Sequence, residues 1–272
     1  MKKVLIITSG FSSFVSELVM CDQVAVVGIL DCQPFSDLQS YAKGNNIPYQ
    51  KLEKQDSQLI QWIQEQTPDV ISIYKMPFLL KKEIFSLPKY GTLNLHPSLL
   101  PKYRGPNPWF WIYYNMEKES GVTIHLVDEG EDTGNVIAQT KFSISVGEPL
   151  KIAKRKAIEA GTKLMIEAIH TIKRLQSTPQ PTVSPTMRAR NVFNYNGLIN
   201  WEKWNVERIW HLVNGFPEIL QTNQSFVGLN KLLTPSYYSL ENINFLPGEF
   251  FDIGNRYILG CVDGIINFLE IM

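Results

Sequence analysis

Short apolar runs rich in β-branched residues alternate with amphipathic runs from residue 1 to about residue 176 of this sequence. Residues 4–8, 23–30, 68–74 and 92–96 have the composition of buried β-strands. The runs between these strands carry apolar residues at helical spacing, near Phe14 to Val19 and in residues 35–43, 57–66 and 77–87. Because strands joined by helical crossovers pair in parallel, the alternation predicts an α/β fold with a mostly parallel, twisted sheet flanked by helices.

The pattern continues with two further helices, two further strands and a change of composition. Residues 107–115 and 150–175 have helical spacing, and residues 122–127 and 136–145 predict strands on either side of an acidic loop. Residues 177–185 then contain three prolines, which disfavour helix and favour an extended segment.

The last part of the sequence predicts a small and mostly β domain. Residues 205–214 fit one short helix, and residues 226–233, 248–253 and 257–271 fit strands, with turns at Gly254-Asn255 and Asp263-Gly264. The predicted organisation is therefore a large α/β domain (1–176), a Pro-rich linker (177–190) and a small C-terminal domain (191–272).

Composition limits the compartment and the partners that we expect. The 272 residues include 26 Lys and Arg against 26 Asp and Glu, so no overall field attracts polyanions. The three cysteines are widely spaced and form no C-x-x-C pair, which disfavours a disulfide framework or a structural zinc site. The apolar start is too short for a signal peptide or a membrane span. We expect a cytoplasmic protein with no membrane partner.

Asn94 and His96 stand at the end of the predicted strand 92–96. Side chains two residues apart on a strand share a face, so the amide and the imidazole could flank one reacting atom. Pro97 ends the strand, which places the pair at the carboxyl edge of the sheet, where ligands of parallel α/β folds bind. The pair is therefore a candidate for catalysis.

Asp132 lies in an acidic loop between Gly130 and Gly134 and could approach His96. An amide, an imidazole and a carboxylate without an activated Ser or Cys suit acyl transfer to an amine, in which the substrate supplies the nucleophile. We expect Asn94 to donate to the developing oxyanion, His96 to take or relay the amine proton, and Asp132 to hold the imidazole.

The order of these motifs resembles that of the 10-formyltetrahydrofolate-dependent formyltransferases. The matching residues are Asn94-Leu95-His96-Pro97-Ser98-Leu99-Leu100-Pro101, then Tyr103-Arg104-Gly105, Gly121-Val122-Thr123 and Asp132-Thr133-Gly134. The resemblance implies a Rossmann-like core, 10-formyltetrahydrofolate as co-substrate without a metal, and Asn94, His96 and Asp132 as catalytic residues.

The same resemblance implies two binding regions. The pterin of the folate would lie against a mostly backbone-lined pocket formed by Pro77, Phe78, Leu79 and Leu80 and by Val127, Asp128, Glu129 and Gly130. The amine substrate is expected near Ser98, Arg104 and Trp109. Arg104 could instead be an exposed turn residue, and His125 could face the site or the core.

The C-terminal segment resembles the longer branches of the family, which act on methionyl-tRNA or on nucleotide-linked amino sugars. Residues 191–272 carry only Lys203, Arg208, Lys231 and Arg256 as cations, few for gripping an RNA backbone. The basic, Gly-rich insertion that tRNA enzymes carry after the second strand is also missing. We therefore expect a small amine, in a nucleotide-linked amino sugar, with methionyl-tRNA as the alternative partner.

Other interpretations remain open at this stage. The aromatic residues from Trp109 to Tyr114 could offer a stacking platform for a nucleotide or belong to a core. His96, His125 and Asp132 could be imagined in a metal-dependent hydrolase, but H-x-x-x-H or H-E-x-x-H spacing is absent. A folate-binding module without turnover and a homodimer are further alternatives.

Overall fold

In the computed structural model the described residues are 1–174, 176–222, 233–241, 245–254 and 256–270. They form two compact units whose ranges are discontinuous in the sequence. The first unit contains residues 1–108, 120–142 and 155–189, and the second contains residues 109–119, 143–154 and 190–272. The predicted division at residues 177–190 stays a prediction, but residues 177–189 group with the first unit.

A seven-stranded sheet organises the first unit, in the spatial order β3-β2-β1-β4-β5-β6-β7. The strands are β1 (Lys2–Thr8), β2 (Val24–Asp31), β3 (Tyr49–Lys51), β4 (Val70–Tyr74), β5 (Thr92–His96), β6 (Glu119–Leu126) and β7 (Val136–Ser143). The pairs from β3 to β5 are parallel, whereas β6 runs antiparallel to β5. The predicted fold class, with a mostly parallel sheet, is confirmed.

Six helices connect or follow these strands. They are α1 (Ser13–Met20), α2 (Leu38–Gly44), α3 (Ser57–Gln66), α4 (Lys82–Phe85), α5 (Pro108–Tyr114) and α6 (Leu150–Thr171), the last extended by a 3₁₀ turn, Ile172–Arg174. The bounds of α3 match the prediction because Asp56 caps the helix by accepting from the N–H groups of Gln58 and Leu59. At the other end Thr67 adopts a left-handed conformation that stops it.

Two predicted helices are shorter than their apolar spacing suggested. The helix expected over residues 77–87 is confined to α4, because the Gln55 side chain donates to the Leu79 carbonyl (2.9 Å) and accepts from the Lys81 N–H (2.7 Å). The helix expected from residue 35 begins only at Leu38, whose N–H bonds to the Ser36 hydroxyl. In both places a side chain takes backbone groups that a helix would need.

The core of the first unit is apolar on both sides of the sheet, as expected for strands covered by helices. Leu5, Ile6 and Ile7 of β1 are all fully buried. On one face helix α6 approaches β5 so closely that a Cβ on Gly161 would lie 2.6 Å from Leu95 Cδ1. Gly161 therefore sets how near α6 can lie to the strand that carries Asn94 and His96.

The second unit contains helix α7 (Val206–Gly215), a 3₁₀ segment (Pro217–Thr222) and a four-stranded sheet in the order β8-β11-β10-β9. Its strands are β8 (Leu233–Ser239), β9 (Phe250–Asp252), β10 (Tyr257–Cys261) and β11 (Gly264–Glu270). All three pairings are antiparallel, so the predicted small β sheet is confirmed. The strand predicted over residues 226–233 lies, except for its last residue, outside the described residues.

The aromatic run after Pro108 is mainly core of the second unit. Phe110, Trp111 and Tyr113 are buried, at 0%, 4% and 0% exposure, so the stacking-platform interpretation is wrong for these three rings. Of the five aromatic residues in this run, only Trp109 and Tyr114 are half-buried. The helical spacing reflects packing, since Tyr113 OH also donates to the Glu148 carbonyl at 2.8 Å.

The described helices include none long and apolar enough to cross a bilayer. The cytoplasmic location stays a prediction.

Candidate active site

The carboxyl end of β5 and the facing residues of β6 bring together the polar side chains of the site. Asn94 pairs with His125 across the two antiparallel strands, and His96 pairs with Thr123. Directly opposed residues project on the same face of a sheet, so the Asn94 and His125 side chains meet. Nδ2 of Asn94 lies 3.0 Å from Nε2 of His125.

Asp132 enters this group from the loop between β6 and β7. Its Oδ2 lies 3.4 Å from His96 Nδ1, and its Oδ1 lies 3.4 Å from Asn94 Nδ2 and 3.5 Å from His125 Nε2. The backbone N–H of Gly105 donates to Oδ2 at 2.9 Å. The three residues predicted as catalytic are therefore in one cluster, with His125 as a fourth member.

The hydrogen bonds of His125 determine how the Asn94 amide is oriented. Nδ1 of His125 lies 2.8 Å from the Leu126 carbonyl, which can only accept, so Nδ1 carries the proton. Nε2 is then an acceptor, and the Asn94 amide nitrogen donates to it. The second amide hydrogen of Asn94 points to Asp132 across the longer 3.4 Å contact. One donor of Asn94 is firmly held and the other is weakly held.

His96 is buried, with 4% of its surface exposed, and both of its ring nitrogens face acceptors. Nε2 lies 3.0 Å from the Tyr103 carbonyl, and Nδ1 faces Asp132. Burial lowers the pKa of His96 below its ordinary value, while Asp132 and the Tyr103 carbonyl act in the opposite direction. The ring is thus neutral near pH 7 but has two partners ready for its protonated form.

Asp132 remains ionised despite being largely enclosed. Burial acts to raise the pKa of Asp132, but the His96 ring and the Gly105 N–H hold that pKa well below its usual range. The cluster therefore contains a carboxylate, a neutral imidazole that can accept a proton, and an amide donor. This combination serves proton transfer and stabilisation of an oxyanion.

The half-buried Cys32 and the buried Cys261 are unsuited to act as nucleophiles. Burial raises the pKa of Cys32 to about 12, and burial likewise raises the pKa of Cys261 to about 12. A thiol with such a pKa carries almost no thiolate at neutral pH.

The residues predicted to bind the amine substrate are placed differently from one another. Ser98 is fully buried and its hydroxyl donates to the Lys102 carbonyl at 2.7 Å, which gives it a role in the turn after β5. Arg104 is also buried, and its guanidinium donates to Gln180, at 3.1 and 2.8 Å. Trp109 is half-buried in the second unit. Their roles in substrate binding stay predictions, and Arg104 would have to leave its present partners.

Two stretches are predicted to hold the pterin, and the first follows β4. Phe78 and Leu79 are exposed at 39% and 57%, whereas Leu80 is buried in the core, so the Leu80 side chain is not available to a ligand. Pro77 belongs to the same non-helical stretch before α4. The exposed apolar side chains of Phe78 and Leu79 suit a flat aromatic ligand, but the Leu79 carbonyl already accepts from Gln55.

The second stretch continues β6. Val127 packs against the core cluster, and the Asp128 carboxylate accepts from the Gly130 N–H (3.0 Å) and the Thr133 hydroxyl (2.7 Å). Glu129 forms an exposed ion pair with Lys82 at 2.8 Å. The Asp128 side chain is therefore committed to the loop itself and the Glu129 side chain to helix α4. The pocket function of both stretches stays a prediction.

The sequence left open whether His125 faces the site, and sequence reasoning missed the segment 177–189. The antiparallel turn of the chain at β6 places His125 opposite Asn94, a register that a parallel-sheet pattern does not reveal. Gln180, in the predicted linker, contacts the backbone of Asp132. Within the described ranges no three His, Cys, Asp or Glu side chains are grouped so as to hold a metal ion.

Comparison with known proteins gives the class of this chain. The family model described as "Formyl transferase" matches residues 3–169. A methionyl-tRNA formyltransferase of Thermodesulfovibrio yellowstonii is 32% identical over 217 residues, which are 79% of this chain and 69% of the relative. A methionyl-tRNA formyltransferase of Clostridium tetani is 39% identical over 224 residues, 80% of this chain and 70% of the relative. The chain therefore belongs to the formyl transferase family.

A solved structure is similar along the whole chain. It is that of the N-formyltransferase from Helicobacter canadensis in complex with folinic acid and dTDP-3-aminofucose. The TM-score is 0.68 at 21% identity, with 99% of each chain covered. At this identity the likeness establishes the fold of the two chains and nothing about the amine.

Proposed function

We propose that this protein transfers the formyl group of 10-formyltetrahydrofolate to the primary amine of a nucleotide-linked amino sugar. The observation that carries the transfer chemistry is the cluster in which Asp132 lies 3.4 Å from both His96 and Asn94. Family membership supports the same reaction class. The folate supplies a formyl group already bound to nitrogen, so the protein has to manage one amine proton and one carbonyl oxygen.

His96 takes the amine proton in the proposed reaction. The nitrogen of the amine becomes acidic as it bonds to the formyl carbon, and a neutral imidazole near pH 7 can accept its proton. The protonated ring then has Asp132 beside Nδ1 at 3.4 Å and the Tyr103 carbonyl beside Nε2 at 3.0 Å. Because either contact can be exchanged for the reacting group, the ring can return that proton to the departing folate nitrogen.

Asn94 stabilises the negative charge that develops on the formyl oxygen. Its amide hydrogen toward His125, at 3.0 Å, fixes the plane of the group, and the hydrogen on the longer contact to Asp132 is released to the oxyanion. A donor fixed before the reaction needs no reorganisation when the charge appears. His125 would therefore act on the oxyanion through Asn94.

The choice of a sugar nucleotide rests on charge and on the length of one loop. Only residues 32–37 separate β2 from α2, so no long basic insertion follows the second strand. Residues 191–272 contain four Lys and Arg in total, namely Lys203, Arg208, Lys231 and Arg256. Binding an RNA backbone tightly requires several such cations on one surface. The Helicobacter canadensis N-formyltransferase, which has the same fold, was solved with a nucleotide-linked amino sugar, so a chain of this fold can take such an amine.

Methionyl-tRNA is the second candidate substrate, because the relatives at 32% and 39% identity are methionyl-tRNA formyltransferases. The two candidates differ in their dependence on salt. Turnover with tRNA would fall steeply between 50 and 200 mM salt, roughly as expected for several phosphate contacts, whereas turnover with a sugar nucleotide would change little.

The test is a transfer assay with purified protein, 10-formyltetrahydrofolate and two amine substrates, dTDP-3-aminofucose and methionyl-tRNA. We expect an N-formylated sugar nucleotide by mass spectrometry and release of tetrahydrofolate at the same rate. The His96→Ala and Asn94→Ala variants should lose turnover and still bind folinic acid, while His170→Ala, on an exposed helix position, keeps it. Wild-type turnover in both site variants, or formylation of neither substrate, would refute the proposal.

A further inference from the structure

Residues 177–189, here called the strap, lie across both loops that carry the site. At the start of the strap the backbone of Thr178 exchanges two 2.8 Å hydrogen bonds with Val136, just after the Asp132 loop. At its end Ala189 donates to the Arg104 carbonyl (2.7 Å) and accepts from the Asn107 N–H (2.9 Å). A segment predicted as a linker is therefore hydrogen-bonded to the catalytic loops along its length.

The side chain of Gln180 joins the two loops at the centre of the strap. Its amide nitrogen donates to the carbonyls of Asp132 (2.9 Å) and Gly134 (2.7 Å). Its amide oxygen accepts from Arg104 Nε (3.1 Å) and Nη2 (2.8 Å). One side-chain amide thus uses both of its donors and its acceptor between the Asp132 loop and the turn that follows Tyr103.

Arg104 is the other half of this link. It is 8% exposed, and besides Gln180 it donates to the carbonyls of Pro181 (2.9 Å) and Thr182 (3.5 Å). A buried guanidinium is costly unless its hydrogens find partners, so breaking one contact weakens the rest of the network. All the hydrogen-bond acceptors named here for the Arg104 guanidinium belong to the strap.

Asp132 needs support from outside its own loop. Its φ is +54°, in the left-handed region, which side-chain-bearing residues adopt at some cost and keep only when their surroundings hold them. Gly105 holds the carboxylate by its N–H, and Gln180 holds the carbonyl of the same residue. Gly105 is itself pressed on the strap, since a Cβ there would lie 2.9 Å from the Ala189 carbonyl oxygen.

We propose that Gln180 is a positioning residue for formyl transfer, because it ties Arg104 to the Asp132 loop and thereby sets the distance between the Asp132 carboxylate and the His96 ring. The inference rests on the proposed function for its consequence in catalysis. The structural part of the inference is that the distance from the His96 ring to the Asp132 carboxylate depends on Gln180. That part does not rest on the proposed function.

A second contact between the strap and the Asp132 loop provides a comparison. Arg188 forms an ion pair with Glu131, with Nη2 to Oε1 at 2.7 Å, but the Arg188 side chain is 60% exposed. Exposed pairs of this kind contribute little, whereas the half-buried Gln180 amide bonds to the buried Arg104 guanidinium and to two backbone carbonyls. Arg188→Gln should therefore leave the site nearly unchanged.

Two substitutions of Gln180 separate its functions. Gln180→Met keeps the length of the side chain and removes all four hydrogen bonds. Gln180→Glu keeps the acceptors for Arg104 but directs a charged oxygen at the Asp132 and Gly134 carbonyls. Gln66→Met is the matched control, because the Gln66 amide donates to the Trp62 carbonyl at 3.1 Å within helix α3, away from the site loops.

The first measurement needs no substrate. The chain has four histidines, so the His96 ring can be assigned by single substitutions and titrated by NMR. We expect the His96 titration in Gln180→Met to move to lower pH by about half a unit or more, because a receding carboxylate supports the imidazolium less. Gln66→Met and Arg188→Gln should titrate as wild type does.

The second measurement is the pH dependence of kcat and KM in the formyl-transfer assay. We expect kcat of both Gln180 variants to fall roughly 10- to 100-fold, since small displacements of catalytic groups have effects of this size. The acid limb of the profile should move to lower pH, and KM for the folate should stay within about threefold of wild type.

The outcomes separate this inference from the proposed function. A shifted His96 titration supports the positioning role even when wild type formylates neither amine, which would refute only the proposed function. A His96 titration in Gln180→Met equal to that of Gln66→Met overturns the role. A lower kcat in Gln180→Met with an unmoved acid limb of the pH profile also overturns the role. General loosening of the fold would reduce the rate without changing the proton affinity of the His96 ring.

Discussion

Two histidines of this protein are almost equally buried and yet have opposite characters. His96 in the first unit is 4% exposed and His211 in the second is 2% exposed. His96 has an acceptor beside each ring nitrogen. His211 stacks on Tyr113 with ring centroids 4.5 Å apart, and its Nδ1 accepts from the Gly147 N–H at 3.1 Å. Within the described residues, His211 Nε2 has no hydrogen-bond partner.

The difference teaches that partners, more than burial, decide whether a histidine can work as a base. Burial lowers the pKa of both rings, that of His211 to about 4. Protonating His96 adds a hydrogen that points at an acceptor, whereas protonating His211 at Nδ1 sets one hydrogen against the Gly147 N–H. The first ring is prepared for a proton, and the second is a neutral packing element.

The largest expected effect is on catalysis by His96. His96→Ala should lower kcat roughly 10²- to 10⁴-fold, the range for loss of a general base, with folate binding retained. His211→Phe, which keeps a ring on Tyr113, should leave kcat within about twofold of wild type. Steady-state kinetics on both variants measure the contrast. Equal losses of kcat would break the distinction between the two histidines.

His125 should have the next largest effect, through Asn94. His125→Phe removes the acceptor that holds the Asn94 amide at 3.0 Å, so the donor to the oxyanion is no longer fixed. We expect kcat to fall about 10-fold or more with little change in KM. His170→Phe serves as the control at an exposed position. An unchanged kcat in His125→Phe would show that Asn94 orients without it.

Acid stability should distinguish His211. Its folded pKa of about 4 lies below the unfolded value of 6.5, so the unfolded state takes up the proton first and stability falls as pH drops from 6.5 towards 4. Between pH 7 and pH 5 wild type should lose about 2 kcal/mol more than His211→Phe in urea unfolding. At pH 7 the variant is itself less stable, because the Gly147 N–H loses its acceptor. If the free energies of unfolding of wild type and His211→Phe changed equally with pH, the low pKa assigned to His211 would be contradicted.

The smallest expected effect comes from the far side of the catalytic strand. Gly161→Ala gains about 1 kcal/mol in helix propensity but presses a methyl group onto Leu95, between Asn94 and His96. We expect kcat to fall about threefold while the melting temperature changes little. Gly44→Ala is the control, because a Cβ there meets nothing within 4 Å. Equal kcat for the two variants would show that β5 tolerates the displacement.

The sequence predicts most strands of the first unit, misses the short β3, and predicts the loops poorly, for a physical reason. The periodicity of β5 and the cap of α3 are local signals, and both bounds agree with the structure. The helix expected over residues 77–87 is shortened to α4 because Gln55, more than twenty residues earlier in the chain, bonds to the backbone before it. Local patterns contain no information on such partners.

The residues of the candidate site also divide into those that local sequence predicts and those that it does not. Asn94 and His96 share a face by strand geometry, which the sequence predicts, and the approach of Asp132 follows the motif order. The position of His125 depends on an antiparallel register, and that of Gln180 on a chain reversal after α6. Both positions arise from tertiary structure. For Gln180, the proline-rich composition of its segment conceals this.

The strap has a consequence for the choice of fragments of this protein. The family model ends at residue 169, and a fragment excised there would look like a self-contained enzyme half. Such a fragment would leave the guanidinium of Arg104 and the Asp132 carbonyl facing water in place of Gln180. The module that we propose to be functional is therefore longer than the region that the family model matches, and it ends with the strap.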